Sequence, residues 1–290
     1  MFRKWIEAMR LRTLPVSIAG VLAGCGCAVW QNGFSLLPAT LCLLFALSAQ
    51  VASNFGNEYY DFKNGVDRKG REGFRRGVTE GDITPKAMKR ATFTMLGISA
   101  FIGCMLLFYG SIWHILLVAV ILLCALAYST GRYPLSHHGL GDVTVVIFFG
   151  IIPVTFTCYV QTGEWNGLPV LLTTSVAIGL LAANVLIVNN YRDKEDDEAV
   201  GKRTTVVLFG RKIMGIVYLL SGIAAMVIMF PLWLQSPLWA LSVPLVYILL
   251  HILTWLKITK SRGAELNPLL GRTAMNLLLF TLMLLAVFLI

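Results

Sequence analysis

Two stretches of this chain carry carboxylates at helical spacing. Asn57-Glu58-Tyr59-Tyr60-Asp61 is followed by Asp67, and Asn189-Asn190-Tyr191-Arg192-Asp193 is followed by Asp197. Residues four apart on a helix share a face, so Asn57 and Asp61 project as one group, and Asn189, Asp193 and Asp197 as another. Carboxylates massed in this way repel one another unless a cation joins them. One or two hard oxygen donors, with other positions left for water and phosphate oxygens, is how Mg²⁺ is held against a phosphorylated substrate. Arg71, Arg75, Arg76, Lys202 and Arg203 follow the two stretches closely. Such cations suit a diphosphate that leaves with its charge neutralised. A solvated loop would also tolerate these charges cheaply. Two features favour the metal–diphosphate reading: each acidic group falls on the last turn of an apolar run, and the arrangement recurs four runs later. That recurrence points to an internal duplication with one site between the halves.

The elements that must position these residues are membrane helices. Of the 290 residues, 57% are hydrophobic and only 13% charged, where a soluble domain carries about twice that charged fraction. Mean hydropathy is +0.74. The apolar residues fall in continuous blocks of about 20, long enough to cross a bilayer as helices, and they lack the alternation of a barrel strand. Nine spans are expected, over 14–31, 36–57, 88–109, 112–130, 140–161, 167–190, 212–232, 236–257 and 271–290, forming one all-α integral membrane domain over 1–290. Alternate connections are short and nearly uncharged, whereas the others are basic. Placing the basic ones on one side collects all 24 Lys and Arg there with the N-terminus. The positive-inside rule then predicts a cytoplasmic N-terminus and an external C-terminus. Topology thus accounts for the net charge of +9 without a nucleic-acid partner. The start, MFRKWIEAMRLRTLP, is basic and amphipathic, and no cleavage site follows it. All six cysteines lie within apolar runs, where Cys acts as a small hydrophobe rather than a disulfide or metal ligand.

Asn-x-x-x-Asp at one helix end and Asp-x-x-x-Asp at another resemble the paired motifs of the UbiA superfamily of intramembrane polyprenyltransferases. The likeness extends to WIEAMRLRTLPVSIAGVLAG at the start, AYSTGRYPLSHHGLGDVTVVIFFGIIPVTFTCYVQTG in the middle and NNYRDKEDDEAVGKRTTVVLFGR after the sixth span. It is strongest to the menaquinone-pathway branch. The resemblance implies about nine helices around a lipid-open central cavity, in the cell's inner (cytoplasmic) membrane. It also implies Mg²⁺ bridging the two motifs and the diphosphate of a polyprenyl diphosphate. The acceptor would be 1,4-dihydroxy-2-naphthoate, its carboxylate replaced by the prenyl group, so that the product after loss of CO₂ and oxidation is demethylmenaquinone. By position, Asn57, Asp61 and Asp67 match the first motif, Asp193 and Asp197 the second, Arg71 and Arg76 the basic loop, and Lys202 the Lys of a Gly-Lys-x-Thr stretch. The chain departs from the family at Glu58, where Asp is usual, and at Gly73-Phe74-Arg75-Arg76, where Gly-Pro-Leu-Arg is common. Glu58 is therefore expected to bind metal through water or not at all.

Other residues admit two readings each. Tyr128 either stabilises an allylic cation through its ring face or sits in the interfacial aromatic belt. Arg10 and Arg12 either anchor the first span or reach the acceptor's carboxylate. Asn184 is either functional or a helix–helix hydrogen-bonding group. His137 and His138 invite a metal role, but adjacent residues point apart. His114 and His251 are expected at membrane boundaries. Two further functions stay open: a related prenyltransferase using another acceptor such as 4-hydroxybenzoate, and a transporter. Transporters, however, gather their polar groups near the midplane. A phosphatidyl-type alcohol transferase would need an Asp-Gly-x-x-Ala-Arg stretch, which the chain lacks.

Overall fold

The computed structural model describes residues 2–70, 73, 75–131 and 133–290. The apolar runs form helices α1 (Leu14–Trp30), α2 (Leu36–Lys63), α3 (Pro85–Met105), α4 (Trp113–Ala127), α5 (Gly141–Thr162), α6 (Leu168–Arg192), α7 (Thr205–Ile228), α8 (Ser242–Ile258) and α9 (Leu266–Phe288). An amphipathic helix, Phe2–Met9, precedes α1, and a short one, Lys194–Ala199, follows α6.

Eight helices are long and apolar enough to cross a membrane among the described residues. The expected fourth span is the exception. Its helix holds 15 residues, about 22 Å at 1.5 Å per residue, short of the roughly 30 Å hydrocarbon core. It begins one residue after its expected start but stops at Ala127, where the chain turns through Tyr128, Ser129 and Thr130.

Helices α1 and α6 sit at the centre, with α6 72% buried over its most apolar window against 22% for α3. Lipid tails are as apolar as Leu, so membrane helices associate through close packing of small residues and interhelical hydrogen bonds. Both devices occur. A side chain at Gly20 or Gly24 would come within 2.6 Å of the Phe149 or Val154 carbonyl, so α1 lies directly on α5. Gly150 meets Gly179 just as closely where α5 crosses α6. Helix α5 is wound as a π-turn over 146–151. Pro153 follows it and has no N–H to return to Phe149. Polar bonds add to the packing: Ser99 donates to Ser48 at 2.8 Å, Ser221 to Asn184 at 2.7 Å, and Asn276 to Thr254 at 3.0 Å. Asn184 thus takes the helix-packing role.

Two expectations change here. His251 is fully inside the bundle, stacked between Tyr218 and Tyr247 at ring distances of 4.6 and 5.4 Å. Gly222 makes the room, since a Cβ there would fall 2.2 Å from the imidazole. Cys25, Cys27, Cys42 and Cys158 are buried, but Cys104 faces outward.

Candidate active site

The C-terminal ends of α2 and α6 meet at one end of the bundle. There they form the polar end of a cavity lined by α1, α2, α4, α5 and α6. Its empty volume, open mouth included, is about 1860 Å³. Asn57, Asp61, Asn189, Asp193 and Asp197 all line it, with Arg10, Arg76, Lys202 and Tyr128. Further in, the wall turns apolar through Phe148, Phe149 and Phe156.

Helix α2 holds its register to Lys63 and closes on Asn64 and Gly65, whose φ of 68° suits glycine. The chain then doubles back: the amides of Val66 and Asp67 both donate to the Asp61 carbonyl, at 2.8 and 3.3 Å. Asp67 thereby folds back, and its carboxylate meets Arg76 Nε at 3.4 Å. It lies behind the cavity wall rather than on it. Arg76 also donates to Asn57 Oδ1 at 3.2 Å, and Arg10 to the same oxygen at 2.7 Å. Asn57 Nδ2 donates to Ser129 at 2.9 Å. The Arg10 guanidinium therefore belongs to the site, while Arg12 is exposed.

Helix α6 breaks at Asp193, where φ and ψ are −87° and 7°. The Asp197 amide still bonds the Asp193 carbonyl at 2.8 Å, so the i,i+4 relation survives the break. The next turn brings Lys202 inward, with its amide on the Asp197 carbonyl at 2.9 Å and its ammonium 3.4 Å from Asp61 Oδ2. Asp61 Oδ1 is buried with no hydrogen-bond partner. A buried carboxylate oxygen left in this way costs about 1–3 kcal/mol, so it fits an added cation. No group of three or more His, Cys, Asp or Glu stands ready to hold a metal among the described residues. Mg²⁺ needs only one or two carboxylates besides phosphate and water, so the donor set suits it.

Several residues sit elsewhere than the sequence led one to expect. Glu58 is buried and points away from the cavity, its Oε1 accepting from the Val78 amide at 3.0 Å. One position from Asn57 on a helix is a turn of about 100°, which carries it off the metal face. Arg75 is exposed and pairs with Asp82 at 2.7 Å, and Asp82 also accepts from Lys4 at 2.5 Å. Those two cations, Lys4 first, hold the Asp82 carboxyl below its ordinary pKa. Arg203 is exposed and does not line the cavity. Arg71 lies outside the described residues. Neither His137 nor His138 lines the cavity; burial, then Lys202, holds His137 below its ordinary pKa.

One participant is absent from the sequence reading. Arg192 is buried at 3% exposure and forks onto Asp193, Nε to Oδ1 at 2.6 Å and Nη2 to Oδ2 at 2.9 Å. It also donates to Asn189 and to Asn267 of α9, each at 2.9 Å. A lone arginine at a helix end reads as a topology anchor, and only its burial separates it from one.

Residues 17–280 match the UbiA prenyltransferase family. The 1,4-dihydroxy-2-naphthoate octaprenyltransferase of Escherichia coli (strain K12) is 35% identical over 71% of this chain and 68% of its own. That of Mycobacterium tuberculosis (strain ATCC 25618 / H37Rv) is 33% identical over 97% and 95%. A UbiA homologue from Archaeoglobus fulgidus, solved bound to GPP and Mg²⁺, superimposes with a TM-score of 0.72 at 18% identity, over 99% of this chain and 100% of that one. The chain belongs to the UbiA prenyltransferase family.

Proposed function

We propose that this protein transfers a polyprenyl group from a polyprenyl diphosphate to 1,4-dihydroxy-2-naphthoate with loss of the carboxylate, the step leading to demethylmenaquinone. The relatives named above act on that acceptor by name. The observation that carries the reading is the cavity, which runs from Asp61, Asp193 and Asp197 at a charged end to Phe148, Phe149 and Phe156 along an apolar wall. A polyprenyl diphosphate has that same polarity.

Asn57 and Asp61 at one helix end, and Asn189, Asp193 and Asp197 at the other, would hold Mg²⁺, with Asp67 behind the wall holding Arg76 in place. Bound there, the ion supplies neutralisation of the leaving diphosphate oxygens. Asp193 joins by giving up part of its hold on Arg192. Arg71, Arg76 and Lys202 would bind the diphosphate, and the positions of Arg76 and Lys202 on the cavity wall support this most directly; Arg203, exposed and off the lining, is left at the surface. Tyr128 faces the cavity beyond them, and its ring is suited to an allylic cation. The apolar wall seats the isoprenoid and keeps water from that cation. We place the protein in the inner (cytoplasmic) membrane as a single domain. The charged end, which carries the basic connections, faces the cytoplasm, the N-terminus lies inside and the C-terminus outside.

The test supplies purified protein with a polyprenyl diphosphate, Mg²⁺ and either the naphthoate or 4-hydroxybenzoate. Prenylated product and CO₂ from the naphthoate are expected, and neither when the metal is chelated. Product from 4-hydroxybenzoate alone overturns the acceptor. Substrate uptake without diphosphate release would instead indicate a transporter.

A further inference from the structure

The cavity wall carries a carboxylate that belongs to neither acidic helix end. Asp142 stands in the first turn of α5, within the lining. Its Oδ2 accepts from Thr205 Oγ1 at 2.5 Å, and its Oδ1 is buried without a hydrogen-bond partner. The lining cations Arg10, Arg76 and Lys202 are engaged with Asn57, Asp61 and Asp67. Asp142 forms no salt bridge among the described residues. Thr205 and Tyr128 share the lining with it. The Tyr128 hydroxyl lies 3.4 Å from where a side chain on Gly141 would begin, so the ring packs beside the backbone that carries Asp142.

An unpaired buried carboxylate oxygen calls for a donor. A diphosphate brings more negative charge, and an isoprenoid brings no polar hydrogen. Of the substrates proposed above, only the acceptor ring offers O–H groups. We infer that Asp142 receives the ring hydroxyl next to the reacting carbon and serves as its general base. This rests on the proposed aromatic prenyl transfer. The hydroxyl proton passes to Asp142, and the O–H pair becomes the C=O bond. The ring's C=C pair forms the new C–C bond to the allylic carbon. The C–O bond to diphosphate breaks, and its electron pair leaves with the diphosphate. The resulting β-keto acid then loses CO₂: the C–C pair restores the ring C=C, the C=O pair returns to the oxygen, and that oxygen recovers the proton from Asp142. No oxidant or further reactant is consumed.

The test compares Asp142→Asn and Asp142→Glu with the wild-type protein for kcat, for KM of the naphthoate, and for the Kd of the polyprenyl diphosphate with Mg²⁺. Asparagine can still accept from Thr205 but sets an N–H donor where the hydroxyl must donate. Asp142→Asn should lose about 100-fold or more in kcat/KM for the acceptor, with the diphosphate Kd unchanged. Asp142→Glu should recover part of the loss. Wild-type kinetics in Asp142→Asn overturn the inference. A loss of diphosphate affinity in step with activity also overturns it, because the residue would then merely support the wall. If the wild-type protein prenylates a different hydroxylated ring and not the naphthoate, the acceptor assignment alone fails, and the same comparison on that ring decides the role of Asp142.

Discussion

Lys202 Nζ lies 3.4 Å from Asp61 Oδ2, joining residues 141 positions apart in sequence and both buried. The pair ties the turn after α6 to the end of α2, so the two acidic helix ends form one site. Lys202 also holds the only ammonium on the cavity lining among the described residues. Replacing it with Met keeps the bulk of the stem and removes the charge. We expect the KM for the diphosphate to rise by about 10- to 100-fold, equivalent to roughly 1.4–2.8 kcal/mol. Titrating the variant with prenyl diphosphate checks this, and an unchanged KM would remove Lys202 from diphosphate binding.

Asp61→Ala and Asp193→Ala should each abolish turnover while the bundle stays folded. Each leaves a buried cation, Lys202 or Arg192, without its carboxylate and lowers stability, but the packing of the helices along their length remains. Elution as a single detergent-solubilised species, with turnover below detection, is the expected result. Near-normal activity in both variants would sink the two-motif mechanism.

Glu58 separates a metal role from an anchoring role. Its Oε1 receives the Val78 amide, and Val78 follows Arg76 in the loop. Glu58→Ala should lower stability by about 1–3 kcal/mol, as expected for a buried donor left unpaired, and raise the diphosphate KM through Arg76. Glu58→Gln keeps an acceptor for Val78 and should be nearly silent. A Gln variant as impaired as the Ala variant would return Glu58 to the metal.

Asp82 gives a pH signature. Lys4 and Arg75 hold its folded pKa below the ordinary carboxylate value. Its contribution to stability is therefore present above that ordinary value and is lost as pH falls through the folded one. Thermal unfolding in detergent from pH 7 down to strongly acidic conditions should show this loss. Asp82→Asn should be slightly less stable at pH 7 and lack that component of the acid decline.

Gly150 packs against Gly179 so closely that an added Cβ would lie 2.3 Å from the Gly179 Cα. Backbone cannot yield as a flexible side chain can. Gly150→Ala should therefore cost about 1–3 kcal/mol, read as a lower Tm in detergent. It should also widen the α5–α6 crossing beside the cavity.

Much of this protein could be read from residue order alone, because hydrocarbon imposes a local rule. Every backbone polar group must be paired within the segment that crosses the membrane, so apolar runs of sufficient length become helices. Some ends agree closely, as for α1, predicted over 14–31 and found at Leu14–Trp30, whereas α2 runs on from 57 to Lys63, α7 starts at Thr205 rather than 212 and α9 at Leu266 rather than 271. The four-residue spacing likewise placed Asn57 with Asp61, and Asp193 with Asp197, on the same lining. Span four, expected over 112–130, fell short chiefly at its far end, where the helix stops at Ala127 and the chain turns through Tyr128, Ser129 and Thr130, a stop that hydropathy does not register. Tertiary structure alone decided which charges face the cavity. Arg75 and Arg76 are neighbours, yet one pairs with Asp82 at the surface and the other reaches Asn57. Arg10 and Arg192 resemble membrane anchors in sequence and become site residues through their bonds to Asn57 and Asp193, Arg10 half-buried and Arg192 buried. Long charged side chains go where partners from other helices stand, and those partners are set by packing across the bundle rather than by spacing along the chain.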